Sequence, residues 1–135
     1  MDTFQLEFIT PESRYYSGQV SMVEVPGMMG DFGVLPGHAP FISTIRPGVV
    51  TIHSAESGDG RNSKIFVIGG IAEVNPSKCT ILAEKVIDIG GMTVIDAQAR
   101  FNASRSKFEN TFDATAKEDA EAELRVSEAI LAAVS

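Results

Sequence analysis

The chain has 135 residues, 44% hydrophobic and 21% charged, with 18 Asp and Glu against 11 Lys and Arg for a net charge of −7. That length holds one domain, or a small domain with an appendage. The acidic balance and the absence of a basic cluster exclude a nucleic-acid binder, which must neutralise phosphates with grouped Lys and Arg.

The first half reads as short β-strands. Phe4, Leu6 and Phe8 alternate with Gln5 and Glu7, the signature of a half-buried strand. The runs Val20 to Val25, Phe41 to Ile45 and Val49 to His53 follow at sandwich spacing. Gly58-Asp59-Gly60 predicts a turn before the β run Lys64 to Ile68. Gly69-Gly70 then separates two apolar runs by two residues, which predicts a hairpin. Ile71 to Val74, a turn at Asn75-Pro76-Ser77 and a strand from Cys79 to Ala83 complete a pattern of eight to ten strands.

From Thr93 the composition turns to Ala, Glu, Lys, Arg and Gln, with no Gly or Pro after Gly91, which predicts helix. Ala97, Phe101, Phe108 and Phe112 fall on one face of a first helix of about 17 residues, near 25 Å long. A break over residues 110–115 precedes Thr115-Ala-Lys-Glu118, which matches a capping box. A second helix continues through Leu124 and Leu131, so the two should pack antiparallel. The expected architecture is α+β: an antiparallel β-sandwich over residues 1–88, then a two-helix hairpin over 89–135. The hairpin faces are mostly Ala, so it is expected to lean on the sandwich or on a partner.

Few side chains suggest chemistry. His38 lies in the Gly33-Val34-Leu35-Pro36-Gly37-His38-Ala39-Pro40 corner, whose glycines and prolines impose an irregular backbone. No nucleophile or second acid accompanies it, so a contact role is favoured over catalysis. His53 reads as a surface residue and Cys79 as a small buried one; neither has a ligand spacing, and no metal or cofactor is predicted. Gly27-Met28-Met29-Gly30-Asp31 lacks the Gly-Lys-Ser/Thr of a phosphate loop. Its two methionines fit either an adaptable apolar contact surface or a mobile loop. Met1-Asp2-Thr3-Phe4 has no basic stretch leading to an apolar run, so no secretory signal is expected, and no run is long enough to span a bilayer.

The ordered set Tyr16-Ser17-Gly18, Gly-Asp-Phe-Gly-Val-Leu-Pro-Gly-His-Ala-Pro, Ile-Arg-Pro-Gly and Gly69-Gly70-Ile71-Ala72-Glu73-Val74 resembles the epsilon subunits of F-type ATP synthases, equivalent to the mitochondrial delta subunit. The resemblance is dense from Phe8 to Leu82 and thins toward the C-terminus. It implies a non-catalytic central-stalk subunit that binds the gamma subunit and touches the c-ring, held on the cytoplasmic face of the bacterial inner membrane without inserting. By match to family positions, Met28, Met29, Gly30, Asp31 and Phe32 are expected at the c-ring, with Asp31 pairing basic ring residues. Thr10, His38, Phe41 and Ser43 are expected against gamma.

In many relatives the C-terminal hairpin extends to the alpha/beta catalytic head and brakes ATP hydrolysis. Here Arg100, Arg105, Lys107, Lys117 and Arg125 would make that contact, or else remain solvated charges. The hairpin carries eight acidic against five basic residues from Gly90 on, so weak or absent braking is expected. The alternative is a nucleotide sensor whose hairpin binds ATP. Relatives that do so have an Ile/Leu-Asp-x-x-Arg-Ala motif, whereas in Ile95-Asp96-Ala97-Gln98-Ala99-Arg100 the arginine comes one position late, turned about 100° around the helix. No nucleotide-binding residue is therefore assigned. A carbohydrate-binding sandwich ranks far behind, because the chain has no Trp and only two adjacent Tyr.

Overall fold

The computed structural model describes residues 2–54 and 62–135, and the chain divides into two compact units, Met1–Gly90 and Gly91–Ser135. Among the described residues the first is a sandwich of nine strands: β1 (Phe4–Ile9), β2 (Arg14–Gly27), β3 (Gly30–Val34), β4 (Phe41–Ile45), β5 (Gly48–Ser54), β6 (Asn62–Val67), β7 (Gly70–Val74), β8 (Lys78–Ala83) and β9 (Val86–Asp88). The expected turn at Gly58-Asp59-Gly60 lies outside the described residues.

The neighbour order is β1-β8-β7-β4-β2-β5-β6-β9, with β3 on β2 and a further pairing of β1 with β2. The 14-residue β2 joins the two layers. Its first half pairs with β1, from Arg14 to Val20, and its second with β5 and β3. The changeover falls at a register shift between Val20 and Met22, where an extra residue bends the strand. All described neighbours are antiparallel except β1 and β8.

Period-two alternation sends Phe4, Leu6 and Phe8 of β1 inward, where they meet Val20, Val23 and Val25 of β2, Val50 and Ile52 of β5, and Cys79 and Ile81 of β8 in one buried cluster. Each such side chain contributes roughly 1.5–3 kcal/mol by leaving water. Cys79 is fully buried, as its place in the Cys79–Ala83 strand predicts, and burial pushes its thiol up to about 12.

Two expectations fail here. The Gly69-Gly70 step is no hairpin: β6 pairs with β5 and β9, and β7 with β4 and β8, so this step crosses from one layer to the other. Gly70 sits at φ +143°, and a Cβ there would lie 2.2 Å from the Leu82 carbonyl oxygen. The glycines serve backbone approach rather than a tight reversal. The second miss is β3. Met28 and Met29 form a two-residue turn between Gly27 and Gly30, which pair across it. The irregular corner therefore starts at Leu35, after Gly33 and Val34 have paired with β2. The turn at residues 75–77 is as expected, with Asn75 Oδ1 accepting from the Ser77 and Lys78 amides at 3.1 and 2.8 Å.

The second unit holds α1 (Val94–Glu109) and α2 (Ala114–Val134). The bonds Ser104–Ser127, at 2.7 Å, and Lys107–Glu123 descend on one helix as they climb on the other, so the pair is antiparallel. Ala97, Ala120, Ser127 and Ile130 are buried, a seam with little bulk. The capping box belongs to α1, where Thr93 and Asp96 satisfy each other's amides. Thr115 does not cap α2; the Asp113 carboxylate does, accepting from Ala116 N at 3.0 Å, because the helix starts earlier than Thr115. Phe112 leaves the aromatic row: α1 stops at Glu109, and Phe112 sits 89% exposed in the connection.

Candidate functional site

Among the described residues of the sandwich unit, the β2–β3 turn is the most exposed apolar feature. Met28 is 61% and Met29 99% exposed, while Pro26 and Gly27 directly before them are buried. The turn is tied to the end of β4. Met28 N donates to Thr44 O at 2.8 Å and Arg46 N to Pro26 O at 3.0 Å. The Arg46 guanidinium donates to the Gly27 carbonyl and pairs with the Asp31 carboxylate. Asp31 thus already holds a cation of its own chain. In the sequence Arg46 is only one member of Ile-Arg-Pro-Gly, because its partner Asp31 lies 15 residues away and the fold brings the two together.

Behind the turn, Phe32 meets Phe41 edge-on, with ring centroids 5.0 Å apart and planes at 75°. Phe41 in turn meets His38 at 5.0 Å. The expected ring contact Phe32 and the expected gamma contacts Phe41 and His38 are thus one continuous row of rings. His38 Nδ1 hydrogen-bonds the Ala39 carbonyl at 2.9 Å, so that nitrogen carries the hydrogen.

Ser43 and Phe41 lie on the side of β4 that bears the buried Ile45, while Ile42 and Thr44 face outward. Thr10 directly follows β1 and is buried, its hydroxyl donating to Ser13 O at 3.1 Å. It lines a shallow apolar groove of about 280 Å³ with Ile9, Pro11, Leu82, Ala83 and Glu84. Register places Thr44, Ile71, Leu82 and Ile9 in one row across β4, β7, β8 and β1. Ile42, Ile71 and Leu82 are 71%, 47% and 47% exposed on this outer face. Sequence reasoning missed that patch, although the alternation within Phe41–Ile45 contains it: residues opposite Ile45 must face out.

His53 is no bare surface residue, because its Nε2 lies 2.9 Å from Glu24 Oε2 on the neighbouring strand. In the hairpin, Arg105 pairs with Glu109, Lys107 with Glu123 and Arg125 with Glu121. Lys117 Nζ sits 5.1 Å from the Phe108 ring centroid. Of the five candidate head-contact cations, only Arg100 lacks such a partner among the described residues. Asp96, the acid of the near-match nucleotide motif, is engaged as a cap. Among the described residues no group of three His, Cys, Asp or Glu is placed to hold a metal ion.

A sandwich with a protruding apolar turn and an exposed row of apolar side chains on one sheet face has the build of a docking protein. The chain belongs to the ATP synthase delta/epsilon family: the model of the delta/epsilon chain β-sandwich domain matches residues 3–89. It is 41% identical over 134 residues to the ATP synthase epsilon chain of Paramagnetospirillum magneticum, covering 99% of this chain and 98% of that one. It is 37% identical to the epsilon chain of Rhodospirillum rubrum, covering 98% and 96%.

Among solved structures, a chain of the Euglena gracilis mitochondrial ATP synthase OSCP/F1/c-ring superposes with a TM-score of 0.80. The identity is 18%, over 98% of this chain and 82% of that one. A chain of the Tetrahymena thermophila mitochondrial ATP synthase central stalk and c-ring gives 0.71 at 12% identity, over 99% and 98%. At such identities the likeness is one of fold.

Proposed function

We propose that this chain is a non-catalytic rotor subunit of an F-type, proton-translocating ATP synthase, in which the sandwich locks the gamma subunit to the c-ring. The observation that supports it best is the Met28-Met29 turn, two exposed thioethers on a hairpin held from behind by Arg46. The flanking Asp31 carboxylate suits basic residues of the ring loops, and the two thioethers can adapt to apolar surface beside them. In this reading Met28, Met29, Gly30, Asp31 and Phe32 face the ring. Thr10, His38, Phe41 and Ser43 lie against gamma, with Ile42, Ile71 and Leu82 adding the buried apolar area such an interface needs. The chain then sits peripherally on the cytoplasmic face of the bacterial inner membrane through the complex; among the described residues no helix is long and apolar enough to cross a membrane.

A cysteine at Asp31 should crosslink to the ring loop, and linkage only to catalytic subunits would refute the assignment. Co-purification with gamma should survive removal of residues 91–135 and be lost in Leu82→Lys.

The hairpin reads as a weak brake or none. Four of its five cations already have partners within it, so contact with acidic surfaces of the alpha/beta head would first break those contacts. Assembled enzyme lacking residues 91–135 should hydrolyse ATP at nearly the intact rate; a severalfold rise overturns this. Titration of the full chain with ATP should release no heat of binding.

A further inference from the structure

We infer that Arg46 is the positioning residue of the β2–β3 tip: its guanidinium clasps both ends of the Met28-Met29 turn and presents the methionines preformed. This rests on, and deepens, the reading of the tip as the ring-facing surface. Nη1 donates to the carbonyl of Gly27, the last residue of β2, and Nη2 pairs with Asp31, the second residue of β3. Gly27 and Gly30 are register partners, so the two acceptors bracket the turn.

The tip needs such a clasp. Two-residue hairpin turns favour Asn-Gly or glycine at their centre, and this one has Met-Met. Among the described residues β3 pairs only with β2, so it forms an edge whose far side no strand holds. The sequence around Arg46 brings the fork close. Pro47 restricts the backbone beyond it, and Gly48 lets that corner settle on β2, since a Cβ there would lie 2.8 Å from Pro26 Cβ. A planar fork can hold a carbonyl and a carboxylate together, whereas a lysine is a single point charge.

The pair is exposed, 40% for the Arg46 side chain and 75% for Asp31, so it adds little to global stability. Its effect falls on local opening of the turn. Asp31 meanwhile retains a second carboxylate oxygen for a cation of the partner.

The test is amide hydrogen exchange of the full chain, read at Met28, Gly30 and Arg46. In Arg46→Ala, tip exchange should accelerate about tenfold while amides of β1 and β8 keep their rates. Asp31→Asn should do the same in part, and Arg46→Lys should restore little. Unchanged tip exchange in Arg46→Ala, or full restoration by lysine, overturns the clasp. Affinity for a gamma–c-ring subcomplex, measured on the same variants, should fall about fivefold with Arg46→Ala. Faster tip exchange with unaltered ring affinity upholds the clasp and refutes instead the placement of the tip at the ring.

Discussion

Gly70→Ala adds one carbon where the fold has no room. A Cβ would lie 2.2 Å from Leu82 O and 3.0 Å from Ala83 Cα, both backbone atoms of the paired strand β8. No rotamer change relieves that contact, so β7 and β8 must part. The φ of +143° costs a non-glycine residue about 1–3 kcal/mol. Parting the strands gives up one or two ladder hydrogen bonds, each worth about 1 kcal/mol net. The total is about 3 kcal/mol. With a urea dependence of about 1.5 kcal/mol per molar, the unfolding midpoint should drop by about 2 M. Tyr15 and Tyr16 both lie in β2, and the chain has no Trp, so tyrosine fluorescence reports the sandwich alone. Gly91→Ala is the control: nothing lies within 4 Å of its Cβ, and its midpoint should shift by less than about 0.5 kcal/mol equivalent. A Gly70→Ala midpoint matching wild type would show that Gly70 does not pair with Ala83 across β7 and β8.

Cys79, with its thiol pushed up to about 12 by burial, should resist thiol reagents in folded protein at mildly alkaline pH and label at the rate of unfolding; rapid labelling of native protein contradicts its placement. Hydrogen bonds from Ser17 and Gln5, with help from the charges of Arg14 and Lys78, hold the Glu7 carboxyl below its usual value against the opposing effect of burial. The folded state therefore binds that proton less readily than the unfolded one, so the stabilisation is present above the ordinary carboxylate pKa and is lost as pH falls through the lowered folded value. Glu7→Gln should flatten the acid limb of a stability–pH curve, and an unchanged limb would remove Glu7 from the account. Asp113→Ala should cost about 1 kcal/mol of helical stability and Thr115→Ala almost none. Thermal melts followed by helical ellipticity decide between them, and the reverse order would restore the Thr115 cap.

The alternating strands were readable because burial on one face imposes a period of two, as in Phe4-Gln5-Leu6-Glu7-Phe8. What escaped was everything that depends on a distant neighbour. β3 was hidden because Met-Met carries no turn signal and Gly30 and Gly33 read as loop, yet pairing with β2 makes the strand. Gly69-Gly70 has the local look of a hairpin, but which strand comes next to β7 is set by the layers, not by the dipeptide. Phe112 shows the limit of periodicity: spacing put it in the aromatic row, but α1 ends before it. At the site, the positions matched to the family gave Asp31 and His38, while the guanidinium that meets Asp31 lies 15 residues away and only the fold brings it there.

The long strand β2 has a mechanical consequence. Its 14 residues amount to roughly 45 Å of contour, continuous from the Arg14 end to the methionine turn. Successive stretches are flanked by β1, β5 and β3. A pull along the axis of β2 would therefore load many ladder bonds together in shear, whereas a pull across it would load them one after another.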